Sequence, residues 1–216
     1  MAGTDLGANS STKLSAQNVQ RRAEIVEAAR ELYDTQGLAN TTVKDITERI
    51  GVTRSLFYHY FSSKEDVTQA VLDSYVEDFV EMVRLWNESR VRGDVKGALV
   101  SCVKMLRRGV FDSEPFRWSM VNSENAGLYL KFISLTASRL ARYLTDTTAA
   151  EYAQFHYQQL DHVYETFYLL VVGLVGYVRK NPDAPDELLE DLIAQALRLD
   201  LDGSASKGLD GQARDR

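Results

Sequence analysis

The sequence predicts an all-α protein: an N-terminal three-helix helix-turn-helix domain followed by a larger helical domain, about nine helices in all. Three observations carry that prediction. Apolar residues recur at three- and four-residue spacing from Ile25 to Leu197, the mark of amphipathic helices. The sequence lacks the strict apolar/polar alternation of half-buried strands. Two short helical patterns meet at a tight corner, Gly51-Val52-Thr53, as in a helix-turn-helix.

Residues 1–15 are rich in Gly, Ser, Thr, Ala and Asn and are expected to be a disordered arm. The helix-turn-helix domain is expected over residues 16–66. Its first helix is predicted from Asn18 to Gln36, with Ile25, Ala29, Leu32 and Tyr33 on one stripe and Gly37 as the stop. Thr42, followed three residues later by Asp45, forms a capping box at the start of the second helix. Val43, Ile46 and Ile50 make that helix apolar on one face, and Gly51 ends it in a left-handed conformation. Thr53 caps the third helix. Leu56, Phe57, Tyr60 and Phe61 form its apolar side, while Arg54, Ser55, Tyr58 and His59 fall on its other faces.

The second domain is expected over residues 67–200. Ser63 is the predicted cap of a long helix, with Ser62 as its competitor; Val67, Val71, Tyr75, Phe79, Val83 and Trp86 carry it to about Glu88. Further helices are predicted over 95–111, from Ser113-Glu114-Pro115, and over 127–144. Thr148 and Glu151 read as another capping box, opening a helix expected to run unbroken to Lys180, where Asn181-Pro182 stops it. The last helix is predicted over 185–199, before a disordered tail at 201–216.

The chain has 216 residues, 44% hydrophobic and 26% charged, the composition of a globular protein. The longest apolar run, Leu169 to Val175, is far too short to span a bilayer. No signal peptide opens the chain. With one cysteine, Cys102, an intrachain disulfide is impossible, and a cytoplasmic protein without a membrane partner is expected. The net charge of −6 lies outside residues 12–66, which hold eight Lys/Arg and eight Asp/Glu and are neutral. A neutral reader can bind DNA through a few well-placed cations, without a broad basic patch.

The run I-G-V-T-R-S-L-F-Y-H-Y-F-S-S-K-E-D-V, Ile50 to Val67, resembles the DNA-binding signature of the tetracycline-repressor (TetR) family of bacterial regulators. The likeness covers roughly residues 20–67; Ser55 departs from the glycine or alanine of many members, which bears on base preference at most. The rest of the chain matches that family only in length and helical pattern. The resemblance implies a homodimeric, ligand-responsive transcriptional regulator, a repressor released from a near-palindromic DNA operator by a small apolar or aromatic effector. The alternative is an activator or a constitutive DNA-binding protein without an effector. The resemblance also makes Thr42, Lys44, Thr53, Tyr58 and Lys64 phosphate-contact candidates. Arg54 and Ser55, at the start of the third helix, and His59, further along it, are base-edge candidates. Arginine reads guanine O6/N7 bidentately, the commonest specific contact; a phosphate contact is the competing role for Arg54. Tyr60 and Phe61 read as core, and Arg21 and Arg22 as either a solvated helix end or phosphate contacts.

The family's effector cavity lies in the second domain. Candidate lining residues are Trp86, Trp118, Tyr129, Phe132, Phe155, His162 and Phe167, each of which also has a simple account as core. His156 and His162 are six apart, the wrong spacing for two ligands on one helix face, so neither metal nor cofactor is expected. Cys102 reads as a buried, inert thiol. Gly173 and Gly176, in an apolar run, are positions where a second copy can approach closely. The sequence carries no nucleophile–base arrangement, phosphate-binding glycine loop or H-E-x-x-H, so an enzyme is not expected.

Overall fold

The structure is a computed structural model describing residues 6–111, 126–155 and 160–199, with side chains described from residue 16 onward except at 154 and 155. Among these residues there is no strand. The helices are α1 (Leu6–Gln36), α2 (Val43–Arg49), α3 (Arg54–Tyr60), α4 (Lys64–Ser89), α5 (Val95–Phe111), α6 (Ala126–Leu144), α7 (Ala150–Phe155), α8 (Val163–Lys180) and α9 (Asp186–Leu197). The helix expected from Ser113 lies outside the described residues.

The described residues form two compact units, 6–75 and 76–111 with 126–199. The division falls inside α4, between Tyr75 and Val76, not at the expected 66/67. The first turns of α4 are core of the first unit: Val67, Val71, Leu72 and Tyr75 are buried with Ile25, Ala29 and Tyr33 of α1. Polar contacts fix the register. The Tyr75 hydroxyl donates to both carboxylate oxygens of Asp34, at 2.9 and 3.0 Å, and Arg30 stacks over the Tyr75 ring at 4.2 Å. The buried Tyr33 and Thr68 hydroxyls share a 2.9 Å hydrogen bond.

The chain turns where glycine permits it. Gly37 and Gly51 sit at φ +85° and +66°, ending α1 and following α2, a region where a Cβ is strained. Both predicted caps form: Thr42 and Asp45 bond reciprocally as a capping box, and Thr53 Oγ1 accepts the Leu56 amide at 3.2 Å. Ser63, not Ser62, caps α4 by accepting the Asp66 amide at 3.2 Å. Thr53→Ala removes the acceptor at the start of α3 and is expected to lower stability by about 0.5–2 kcal/mol. Chemical denaturation followed by far-UV circular dichroism reads this; an unchanged midpoint would show that water replaces the cap at no cost.

α1 begins at Leu6, earlier than the expected Asn18, so residues 6–15 of the predicted disordered arm are helical. Once a helix is nucleated, each added residue contributes a backbone hydrogen bond without needing a buried face.

In the second unit, α6 lies along α8, and α5, α8 and α9 pack together. Leu99, Val103, Val178, Leu189 and Ile193 form one core cluster. Ala141, Ala149 and Phe167 form another. Arg107 ties α5 to the α8–α9 turn, donating to Asp186 Oδ1 at 2.5 Å, to the Pro182 carbonyl at 2.8 Å and to the Ala184 carbonyl. Cys102 packs against the first cluster, and burial pushes its thiol up to about 11, Arg90 acting weakly the other way. It is therefore protonated at neutral pH and a poor nucleophile.

The single helix expected from Thr148 to Lys180 is not formed. A π turn, Thr145–Ala149, joins α6 directly to α7, described as far as Phe155; residues 160–162 are not helical, and α8 begins anew at Val163. The expected capping box fails because its side chains have better partners elsewhere. Thr148 Oγ1 donates to Asn87 Oδ1 at 2.8 Å, and Glu151 takes ion pairs from Arg90 and Arg92, both at 2.8 Å. Extra residues of this kind inside a helical run mark places where tertiary contacts override the local pattern.

Candidate functional site

α3 is positioned by two buried aromatics. Phe57 is fully buried and Phe61, the residue that ends the helix, nearly so; their rings lie 5.8 Å apart. Arg22 of α1 stacks over the Phe61 ring at 4.8 Å. With that side turned inward, Arg54, Ser55, Tyr58 and His59 are all exposed, Tyr58 at 55%. The T-shaped contacts of Tyr58 with Phe57 (5.4 Å) and of His59 with Tyr60 (5.0 Å) hold both rings at defined angles. Among the described residues, Arg54 and Ser55 make no side-chain hydrogen bond or ion pair. Their polar groups are presented outward at the start of the helix.

Around α3 the remaining candidates divide. Thr53 is its cap and Thr42 the cap of α2; both are exposed. The Thr42 hydroxyl and then its backbone amide, both bonded to Asp45, hold that carboxyl below its ordinary value. Lys44 is exposed, 3.6 Å from Glu48 on the same helix, a contact worth little in water. Lys64 is different. Its ammonium donates to the Leu38 carbonyl at 2.6 Å, bracing the α1–α2 connection from the start of α4. That structural role was missed in the sequence, since the carbonyl lies 26 residues away. Tyr60 is only half-buried, and its hydroxyl donates to Asn18 Oδ1 at 3.0 Å. Arg49 pairs with Glu31 at 2.7 Å and Arg21 with Glu24 at 2.5 Å, so these acids offset bases away from Arg54.

In the second unit the aromatic candidates are spread over several contacts. The Phe132 ring lies 5.8 Å from Phe79 of α4. The Trp86 indole N–H donates to Ser101 Oγ of α5 at 2.9 Å, with Arg90 over its ring at 5.5 Å. Arg179 of α8 covers the Tyr129 ring at 5.0 Å. Phe167 is buried beside Ala141 and Ala149. His162 is exposed at the start of α8 and caps nothing with its side chain. Trp118 and the Phe155 side chain lie outside the described residues.

Two features here escaped the sequence. Asn87, Arg90, Tyr143, Thr148 and Glu151 form one polar network between the end of α4 and the π turn. Thr136, on α6, is 6% exposed, and among the described residues its hydroxyl has no hydrogen-bond partner. Neither has a sequence signal, because the network's partners are 56 and 61 residues apart and an isolated threonine in a helix looks ordinary. Among the described residues no cluster of His, Cys, Asp and Glu has metal-holding geometry, and no helix is long and apolar enough to cross a membrane.

Residues 25–71 match the family model of bacterial regulatory proteins, tetR family. The chain is similar to the HTH-type transcriptional regulator TtgR of Pseudomonas putida, 39% identical over 101 residues, 47% of this chain and 45% of that protein. It is also similar to the HTH-type transcriptional repressor KstR2 of Rhodococcus jostii, 36% identical over 58 residues, 27% of this chain and 28% of that one. The matched part thus spans less than half the length of these curated relatives. Among solved structures, the repressor AlkX of Dietzia shares the fold at TM-score 0.59 and 18% identity, over 82% of this chain and 95% of that one. RolR solved with resorcinol does so at 0.54 and 20%, over 85% and 89%.

Proposed function

We propose that the chain, whose residues 25–71 match the model of the tetR family of bacterial regulatory proteins, is a member of that family and a ligand-responsive transcriptional repressor acting in the cytoplasm. The observation that carries the reading is the outward face of α3, where Arg54, Ser55, Tyr58 and His59 stand exposed over a buried Phe57. A short helix held this way, with free donors at its N-terminal end, suits the major groove. Arg54, Ser55 and His59 are assigned to base edges. Thr42, Lys44, Thr53 and Tyr58 are assigned to phosphates, which position the reader without specifying sequence. Lys64 keeps two ammonium hydrogens beyond its bond to Leu38 and reaches the backbone as a second role.

The protein acts as a homodimer. Leu169, Val172, Gly173, Gly176 and Tyr177 form one stripe of α8, at the helical spacing of three and four, and all are exposed, Leu169 at 67%. Leu188 and Leu192 expose a matching apolar pair on α9. A Cβ built on Gly173 or Gly176 meets nothing within 4 Å, which leaves room for a second copy's helix. A twofold pair of readers fits two half-sites one DNA turn apart, roughly 34–36 Å.

The aromatic-rich second unit suits a small effector that is largely apolar or aromatic; RolR, similar in fold, was solved with resorcinol. The effector acts by binding more tightly to a conformation whose readers no longer match the half-sites. An activator, or a DNA-binding protein without an effector, is the second reading, and effector-independent operator occupancy would favour it.

Selection of bound sequences from a random duplex pool at moderate salt tests the proposal. The expected result is enrichment of a pseudo-palindrome with half-sites one turn apart. Enrichment of a single half-site would remove the dimer, and no enrichment, with weak salt-sensitive binding alone, would remove the regulator.

A further inference from the structure

Thr136 departs from the other helical threonines with described side chains, whose hydroxyls are all bonded. Thr35, Thr68, Thr145, Thr147 and Thr166 each return their hydroxyl to a backbone carbonyl one turn earlier. Thr136 does not: it is 6% exposed, and among the described residues its Oγ1 has no hydrogen-bond partner. A buried hydroxyl left without a partner destabilises the fold, so its retention calls for an explanation.

Its position supplies one. Residues 132, 136, 139 and 143 form one stripe of α6, and the other three meet α4. Phe132 stacks near Phe79 at 5.8 Å, Arg139 pairs with Glu77, and Tyr143 accepts from Asn87 at 3.2 Å. By its spacing Thr136 falls on the same stripe, and among the described residues its hydroxyl is without a hydrogen-bond partner. Its surroundings along the seam are apolar. Phe132 and Leu140 lie one turn to either side of it and are buried. On α5, Gly109 comes so close to Phe79 and Met82 that a Cβ there would lie 2.9 and 3.2 Å from them. The charges of the seam are already paired, Glu77 with Arg139 and Arg90 with Glu151.

We propose that the Thr136 hydroxyl is the polar anchor of the effector, and that the effector is a small neutral molecule with an aromatic or apolar body and one hydroxyl or carbonyl group. This deepens, and rests on, the reading of the second unit as effector-binding. The hydroxyl both donates and accepts, so it serves either group. A neutral group suits the site better than a carboxylate or ammonium, because among the described residues the charges named on the seam are already paired with each other and do not offset a further buried charge. The apolar body lies against the Phe79 and Phe132 rings.

The experiment uses the full chain and two near-isosteric probe pairs, phenol with toluene and 2-naphthol with 2-methylnaphthalene, by calorimetric titration. The wild type is expected to prefer the hydroxylated member of each pair by about tenfold. Thr136→Val is expected to abolish that preference by weakening the hydroxylated probes alone, and Thr136→Ser to retain it. Without probe, Thr136→Val is expected to melt roughly 2–4 °C higher, since it removes an unsatisfied group at constant volume. A lower melting point for Thr136→Val overturns the proposal by showing that the hydroxyl was already satisfied. So does the absence of hydroxyl preference in the wild type, or its survival in Thr136→Val. The operator selected above is titrated in parallel. A wild type that binds an operator but shows no hydroxyl preference sinks the anchor and leaves the regulator standing, whereas failure to enrich any operator sinks the regulator itself.

Discussion

Phe57→Ala is expected to destabilise the first unit by about 3–5 kcal/mol and to abolish sequence-specific DNA binding. Phe57 is fully buried, and the Phe61 and Tyr58 rings lean on it at 5.8 and 5.4 Å. Truncation leaves a hole between α3 and the helices beneath it. Small units are marginal: a domain of ordinary stability holds about 5–15 kcal/mol in total, so this one change removes a large share. Denaturant titration by circular dichroism should show an early transition belonging to the first unit, the second unit unfolding near its usual midpoint. A shift of less than about 1 kcal/mol would mean that the site collapses around the alanine and that α3 is held mainly by its cap and turn.

Arg54→Ala is expected to weaken operator binding by about 1–3 kcal/mol for each reader, roughly 2–6 for a dimer, because one bidentate base contact is lost on each half-site. The protein's stability should not change, as Arg54 is exposed and ties nothing down among the described residues. The informative comparison is across sequences. If Arg54 reads a guanine, the variant loses preference at that base pair and binds the substituted operator as well as the original. If it touches only phosphate, binding weakens evenly across sequences and the salt slope falls by about 1 per reader. Unchanged affinity and unchanged preference would remove Arg54 from the interface.

The first unit was legible in the sequence because the forces that shape it act over a few residues. Thr42 finds Asp45, and Thr53 finds the Leu56 amide, each three positions on; Gly37 and Gly51 mark the left-handed turns. The second unit was less legible for the converse reason. Thr148 and Glu151 have the spacing of a capping box, yet Asn87 and Arg90 claim them from 61 residues away, and the expected long helix breaks there. Lys64 read as a DNA contact from its place in the motif; its bond to the Leu38 carbonyl depends on how α4 lies against the α1–α2 connection. The boundary at 66/67 followed the end of the motif, whereas the core of the first unit continues to Tyr75. Thr136 shows the limit most plainly, since a missing partner is a property of the folded surroundings and leaves no trace in spacing.

The boundary inside α4 bears on how such proteins can be recombined. Lys64–Ser89 runs as one helix without glycine or proline, and its early residues belong to one unit and its later ones to the other. There is no linker to cut. A chimaera giving this reader a different second half must be spliced within the helix, beyond Tyr75, and the splice must keep phase. Each residue inserted or deleted there turns everything downstream by about 100° and moves it about 1.5 Å along the axis. An insertion of seven residues, about two helical turns, brings the helix itself back into phase.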